Sequence, residues 1–201
     1  MSLQITIANT AEPVSLAAVK SRLRLTDTTD DALITSQIPV ARMFAEKITR
    51  RSLALKTYAL SMDRFPEFNR PIRIPVPPLV EVLDITFLDA NLVTQTWDPA
   101  EYYVASAQSP ALIVPAPGFI YPPPCPHIPG AVTVNFNAGY TVAQYDGGAA
   151  LTDAHFGVAF EAICRLTTYL YQTPEAVLSE GMRTDPLGAV SMLRSIKIYE
   201  F

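Results

Sequence analysis

Chemistry-bearing side chains are scarce in this sequence of 201 residues. It has two histidines, His127 and His155, and two cysteines, Cys125 and Cys164. Two cysteines are too few for a disulfide framework, so two unrelated thiols in a reducing cytoplasm are expected. Nucleophilic catalysis needs a base beside its nucleophile, and neither histidine stands near a Gly-x-Ser-x-Gly elbow. Cys125-Pro126-His127 sets two metal-ligand types two residues apart, but no second pair completes a tetrahedral site. Gly147-Gly148 runs into Ala149-Ala150 and not into a lysine, which gives phosphate cradling no support. No apolar run approaches the ~20 residues of a membrane span. Met1-Ser2-Leu3-Gln4-Ile5-Thr6 lacks the charged start and apolar stretch of a signal peptide. Basic excess is missing too, since the formal net charge is −4, which argues against a dedicated nucleic-acid binder. No catalytic, metal-ligating or cofactor-binding residue is assigned, and no cofactor is expected.

Apolar residues are plentiful. At 49% they suffice for a packed core, either one domain or one core with a large insertion. Charge is unevenly spread: residues 1–52 hold seven Lys/Arg against five Asp/Glu. Residues 53–145 and 146–201 each hold four against seven. Opposite-signed parts suit contact between neighbouring copies, and a solvated charge pattern accounts for a local +2 equally well.

Ser15 follows Pro13 as a candidate N-cap, and Leu16, Val19 and Leu23 then share one helical face. Lys20, Arg22 and Arg24 gather at the end of that helix, where cations suit the macrodipole. Asp27-Thr28-Thr29-Asp30-Asp31 reads as a turn whose last aspartate caps the next helix. Ile34, Ile38, Ala41, Ala45 and Ile48 form a seam that requires a partner helix. Pro39 lies within it and predicts a kink.

From Leu53 the period changes to alternation. Tyr58, Leu60 and Met62 share one face of a strand, with Thr57, Ala59 and Ser61 on the other. Fourteen of the eighteen prolines lie between Pro66 and Pro129, which excludes long helices there. Short strands are expected at 72–74, 80–88, 93–97, 102–105, 112–114 and 132–136, with a hairpin turn at Asp89-Ala90-Asn91. After a loop, Asp153 is the candidate cap of a helix striped by Phe156, Ala159, Phe160, Ile163, Leu166, Thr167 and Leu170. Pro186 suits the start of a last short helix through Arg194.

The expected class is α+β. Terminal helices in 1–52 and 141–201 form one small bundle, and a proline-rich antiparallel β domain at 53–140 is inserted between them. Glu81, Asp84, Asp89, Asp98 and Glu101 read as solvated edges and turns better than as paired catalytic acids. Trp97, Tyr102, Tyr103, Phe119 and Tyr121 offer an alternative reading, a carbohydrate- or surface-binding β module, although aromatics of a small β domain more often form its core. The tail Lys197, Ile198, Tyr199, Glu200 and Phe201 alternates polar and apolar residues. It either packs back on the helices or adds as a strand to another protein's sheet.

Glu12-Pro13-Val14-Ser15-Leu16, Val19-Lys20, Leu23-Arg24-Leu25 and Asp30-Asp31-Ala32-Leu33-Ile34 resemble the start of head–tail connector (adaptor) proteins of long-tailed bacteriophages. Further landmarks follow in order: Asp63-Arg64-Phe65-Pro66, Ile74-Pro75-Val76-Pro77-Pro78-Leu79, Asp98-Pro99-Ala100-Glu101-Tyr102-Tyr103-Val104, Val132-Thr133-Val134-Asn135-Phe136-Asn137-Ala138-Gly139-Tyr140 and residues 189–198. Two departures stand out. Pro39 interrupts a helix this family keeps regular, and Arg50-Arg51 replaces the customary glycine at its end.

The resemblance implies a structural, non-enzymatic neck protein. Its copies form a homo-oligomeric ring, a dodecamer in the virion, below the portal protein. That ring extends the DNA channel, which DNA passes without specific binding, and offers a surface to a stopper or tail-completion protein. Assembly in the host cytoplasm is implied, with no membrane partner. The family's C-terminal segment grips the portal, so residues 197–201 are the expected portal-binding strand. Lys20, Arg22, Arg24, Arg50 and Arg51 are expected to face an acidic neighbouring copy or the channel.

Overall fold

The computed structural model describes residues 1–9, 11–123, 128–140, 154–173 and 185–199. The Cys125-Pro126-His127 run, Gly147-Gly148, Asp153, Glu200 and Phe201 lie outside the described residues. The chain is α+β, with helices near both ends flanking a β region of antiparallel sheets. It divides into two compact units, Met1–Asn9 with Leu55–Gly139, and Thr10–Ala54 with Tyr140–Phe201.

In the helical unit, α1 (Leu16–Leu23) starts where the amide of Ala18 donates to Ser15 Oγ at 3.2 Å. It ends at Arg24, whose φ of 56° is left-handed. α2 (Asp31–Thr49) begins one residue earlier than the turn suggests. Asp30 holds the N-cap position without a side-chain cap, and its carboxylate accepts from Tyr171 Oη at 2.6 Å. Asp31 instead meets Lys20 Nζ at 2.6 Å. α2 runs as one helix through Pro39, although the ring deprives the Thr35 carbonyl of its usual donor. The seam expected on it is buried along its length.

α3 (Ala154–Gln172) packs against α1, α2 and α4 (Ala189–Ser195), and all four close one apolar core. The last helix does not start at Pro186. Residues Pro186–Gly188 make a separate 3-10 turn, because Leu187 and Gly188 take left-handed φ of 52° and 73°. The carboxylate of Asp185 then reaches past them and accepts from the amides of Val190 and Ser191 at 2.7 and 2.8 Å.

The β unit carries β1 (Ser2–Ile7), β2 (Lys56–Met62), β3 (Ile72–Ile74), β4 (Leu79–Leu88), β5 (Thr94–Thr96), β6 (Tyr102–Ala105), β7 (Ala111–Pro115) and β8 (Val132–Ala138). One sheet has the order β1-β2-β8-β4-β5 and the other β3-β7-β6, with every pair antiparallel. β1 is a correction, since the first residues were expected to belong to the helical part. Ser2-Leu3-Gln4-Ile5 pairs in register with Ser61, Leu60, Ala59 and Tyr58. Both sheets feed one core, where Tyr58 stacks on Phe136 at 5.5 Å and Leu60, Ile85, Ile113 and Val134 are fully buried. At the hairpin, Asp89 Oδ1 takes the amides of Asn91 and Val93 at 2.8 and 3.0 Å, and Leu92 supplies the left-handed residue.

Candidate functional site

The residues that open the helical unit are structural. Glu12 reaches Arg42 on α2, accepting from Nε at 2.6 Å and Nη2 at 3.2 Å. Arg42 also donates to Glu46 one turn on, at 2.8 Å, and Glu46 Oε1 takes the amide of Leu53 at 3.0 Å. With Pro13 and Val14 buried beside this network, the entrance to α1 is fastened to α2. Burial alone would disfavour the Arg42 cation, but the hydrogen bonds and charge of the two glutamates outweigh it and hold its pKa above the ordinary value.

The five cations singled out in the sequence sit in different settings. Lys20 bonds Asp31 and the Asp27 carbonyl, Arg22 pairs with Glu161 on α3, and Arg51 Nε donates to the Ile196 carbonyl at 2.9 Å. Those three are engaged within their own unit. Arg24 and Arg50 stand exposed at the C-terminal ends of α1 and α2, both with left-handed backbone.

The tail leaves α4 and docks on α2. Ile196 is buried in the helical core, and the amide of Ile198 donates to the Thr49 carbonyl at 3.0 Å. This supplies a donor to one of the carbonyls a helix end leaves open. Lys197 Nζ lies 5.8 Å from the centroid of the Tyr199 ring, and that ring is exposed. Residues 197–199 form no strand within this chain.

Two surfaces escaped the sequence reading. On α2, away from the buried seam, Leu33, Val40 and Met43 are exposed at spacings of seven and three. That is the repeat of a helix-packing stripe. Its signal was present, but the stronger inner seam masked it. The second surface is β1, all six residues of which are exposed.

In the β unit the five carboxylates have local tasks. Glu81 and Asp84 accept from the side-chain amides of Asn137 and Asn135, each at 2.8 Å. Asp89 orders its hairpin, Asp98 caps a short 3-10 turn, and Glu101 accepts from the Trp97 indole at 2.9 Å. The Asp89 carboxyl is held below its ordinary value by the Val93 amide and then by Gln95. The aromatics are mainly core. Trp97 and Tyr102 are buried, and Tyr121 stacks on Phe65 at 5.0 Å with its phenol pushed up to about 12 by burial. Only Tyr103 and Phe119 of the five remain exposed, too few for the proposed sugar-stacking face.

An open concavity of about 580 Å³ beside Phe65, Phe68 and Met62 contains no nucleophile–base pair. Among the described residues no group of three or more His, Cys, Asp or Glu is placed to hold a metal ion.

The family described as phage gp6-like head-tail connector protein matches residues 13–87, from the entrance of α1 to the end of β4. No curated protein sequence matches the chain. A chain in the virion of a native gene transfer agent particle superposes with a TM-score of 0.72 at 18% identity, over 100% of this chain and 97% of that one. Chains in the neck of the empty particle computed with C6 symmetry, and of the native particle computed with C12 symmetry, give TM-scores of 0.69 and 0.66. Identity and coverage are the same in both. The chain is similar to phage gp6-like head-tail connector proteins in sequence over residues 13–87 and, over its whole length, in fold to chains of a gene transfer agent particle.

Proposed function

We propose that this chain is a structural neck protein, a connector that forms a ring below the portal of a phage-like particle. The observation that carries the reading is the conjunction of the connector-family match over residues 13–87 with whole-length overlap on particle-neck chains. The C6 and C12 symmetry of those necks supports a ring of this chain, with twelve copies as the expected number. Repeated head-to-tail contacts close such a ring, and they need two different surfaces on each copy. The exposed Leu33–Val40–Met43 stripe is one available surface, and the exposed side chains of Arg24 and Arg50 are the proposed contacts to an acidic neighbour or to the channel wall.

The portal is the proposed partner of the tail, with Lys197, Ile198, Tyr199, Glu200 and Phe201 as the contact. A stopper or tail-completion protein docks on the opposite side of the ring. The net charge of −4 suits a channel through which DNA slides, because few phosphates are neutralised on the way. Deleting the gene tests the role: DNA-filled heads that fail to join tails are expected. Complete, tailed and infectious or transferring particles would contradict it.

A further inference from the structure

Among the described residues the β unit has four sheet edges, and they are not treated alike. β5 is three polar residues, all exposed, and β3 is three residues with exposed Arg73 between Pro71 and Pro75. The uncovered length of β4 is broken by register shifts at Val80 and Leu83, which splay the strand. Short length, charge, proline and bulges are the devices that keep sheet edges from pairing with other chains.

β1 and β6 carry neither charge nor proline within the paired run, and the one shift in β1 lies beyond Ile5. Ser2-Leu3-Gln4-Ile5 and Tyr102-Tyr103-Val104-Ala105 contain no charge, no proline and no glycine. The flat part of β1 ends at a shift after Ile5, so each edge presents four regular residues. Both also leave core-facing side chains uncovered. Leu3 and Ile5 lie opposite the buried Leu60 and Tyr58, on the core face, yet are 38% and 56% exposed. Val104 lies opposite the fully buried Ile113 and is 36% exposed.

We propose that β1 of one copy pairs with β6 of the next copy, so that a continuous sheet runs between neighbours in the ring. The inference rests on the neck reading above. The occupant is a second copy because one chain carries both halves: two different unguarded edges, matched in length and each with an unfinished apolar face. A cyclic ring cannot use β1 against β1, since that contact is two-fold and closes a dimer. Pairing β1 with β6 adds main-chain hydrogen bonds and covers Leu3, Ile5 and Val104 together.

The test uses the full chain with its cognate portal, read by native mass. Ile5→Lys and Val104→Lys each place a charge in the joined face, and both sites are exposed enough in the single copy to keep its melting temperature unchanged. Each is expected to lower ring formation on the portal by more than about tenfold, the effect of an unpaired charge buried in an interface. In the Cys125→Ser background, Gln4→Cys with Tyr103→Cys is expected to give a disulfide ladder of linked copies. Wild-type rings with undiminished assembly of both lysine variants would overturn the edge pairing alone. Dimers from Gln4→Cys by itself, or a link to a different protein, would overturn it too. Failure of the wild type to assemble would bring down the neck reading together with it.

Discussion

Arg42 is the residue on which the helical unit's opening turns. Its guanidinium is nearly enclosed and holds Glu12, thirty residues away, and Glu46, one turn away. Replacing Arg42 by alanine leaves two partly buried carboxylates facing each other, and is expected to cost about 3 kcal/mol. Denaturant unfolding measures this; a loss below about 0.5 kcal/mol would mean that the pair is merely tolerated. Arg24 makes the opposite case. It occupies a left-handed C-terminal position that glycine takes without strain. Arg24→Gly is expected to stabilise the chain by about 1 kcal/mol, visible as a higher melting temperature. The Glu12–Arg42 contact was not legible in the sequence, because nothing local links residues thirty apart. The left-handed arginines were half legible: the missing glycine at Arg50 was noticed, but no pattern tells a strained arginine from an early end to the helix.

At the scale of elements, α2 and α3 were legible because their apolar residues recur at helical spacing over five turns, and that same face is buried. β1 was missed although it alternates just as cleanly, since six residues with no buried side chain carry no sign of which sheet they join. Pro39, where a kink was expected, lies within a single helix that runs from Asp31 to Thr49. Packing of the seam on both sides of the proline outweighs one absent hydrogen bond. Pro39→Ala restores a donor to the Thr35 carbonyl, and about 2 kcal/mol of added stability is expected in thermal melts. A destabilised variant would mean that the proline ring fills space that alanine leaves empty.

Helix-to-helix electrostatics also give a pH signature. Burial raises the pKa of Glu161, but hydrogen bonds from Arg22 and Arg165 outweigh it and hold the carboxyl below its ordinary 4.5. Asp185 is likewise held below 3.8, with burial opposed by Ser191, Val190 and Arg194. Depressed carboxylates stabilise the fold above their unfolded pKa, and that stability is lost as pH falls through the folded value. Melting temperature is therefore expected to drop below pH 4.5, and Glu161→Gln should flatten part of that drop. Parallel acid limbs in both proteins would remove Arg22–Glu161 as a contributor.

For the whole molecule, the switch from helices to strands after α2 was readable from the change of period and the proline cluster, although β1 ahead of the helices was not. The docked tail was one of the two readings that its alternation left open. Ile196 looks like any alternating apolar residue, yet it belongs to the core and its carbonyl holds Arg51. Cutting the chain before Ile196 would therefore confuse folding with function. Removing residues 199–201 spares those contacts, and should abolish portal binding while leaving the melting temperature unchanged. Portal binding that survives the truncation would remove the tail from the interface.

The central claim is that this chain is a ring-forming connector, and native mass of the purified protein mixed with its cognate portal tests it most directly. The account predicts a discrete complex in which a ring of copies sits on the portal. A chain that stays monomeric and ignores the portal at high concentration would contradict it.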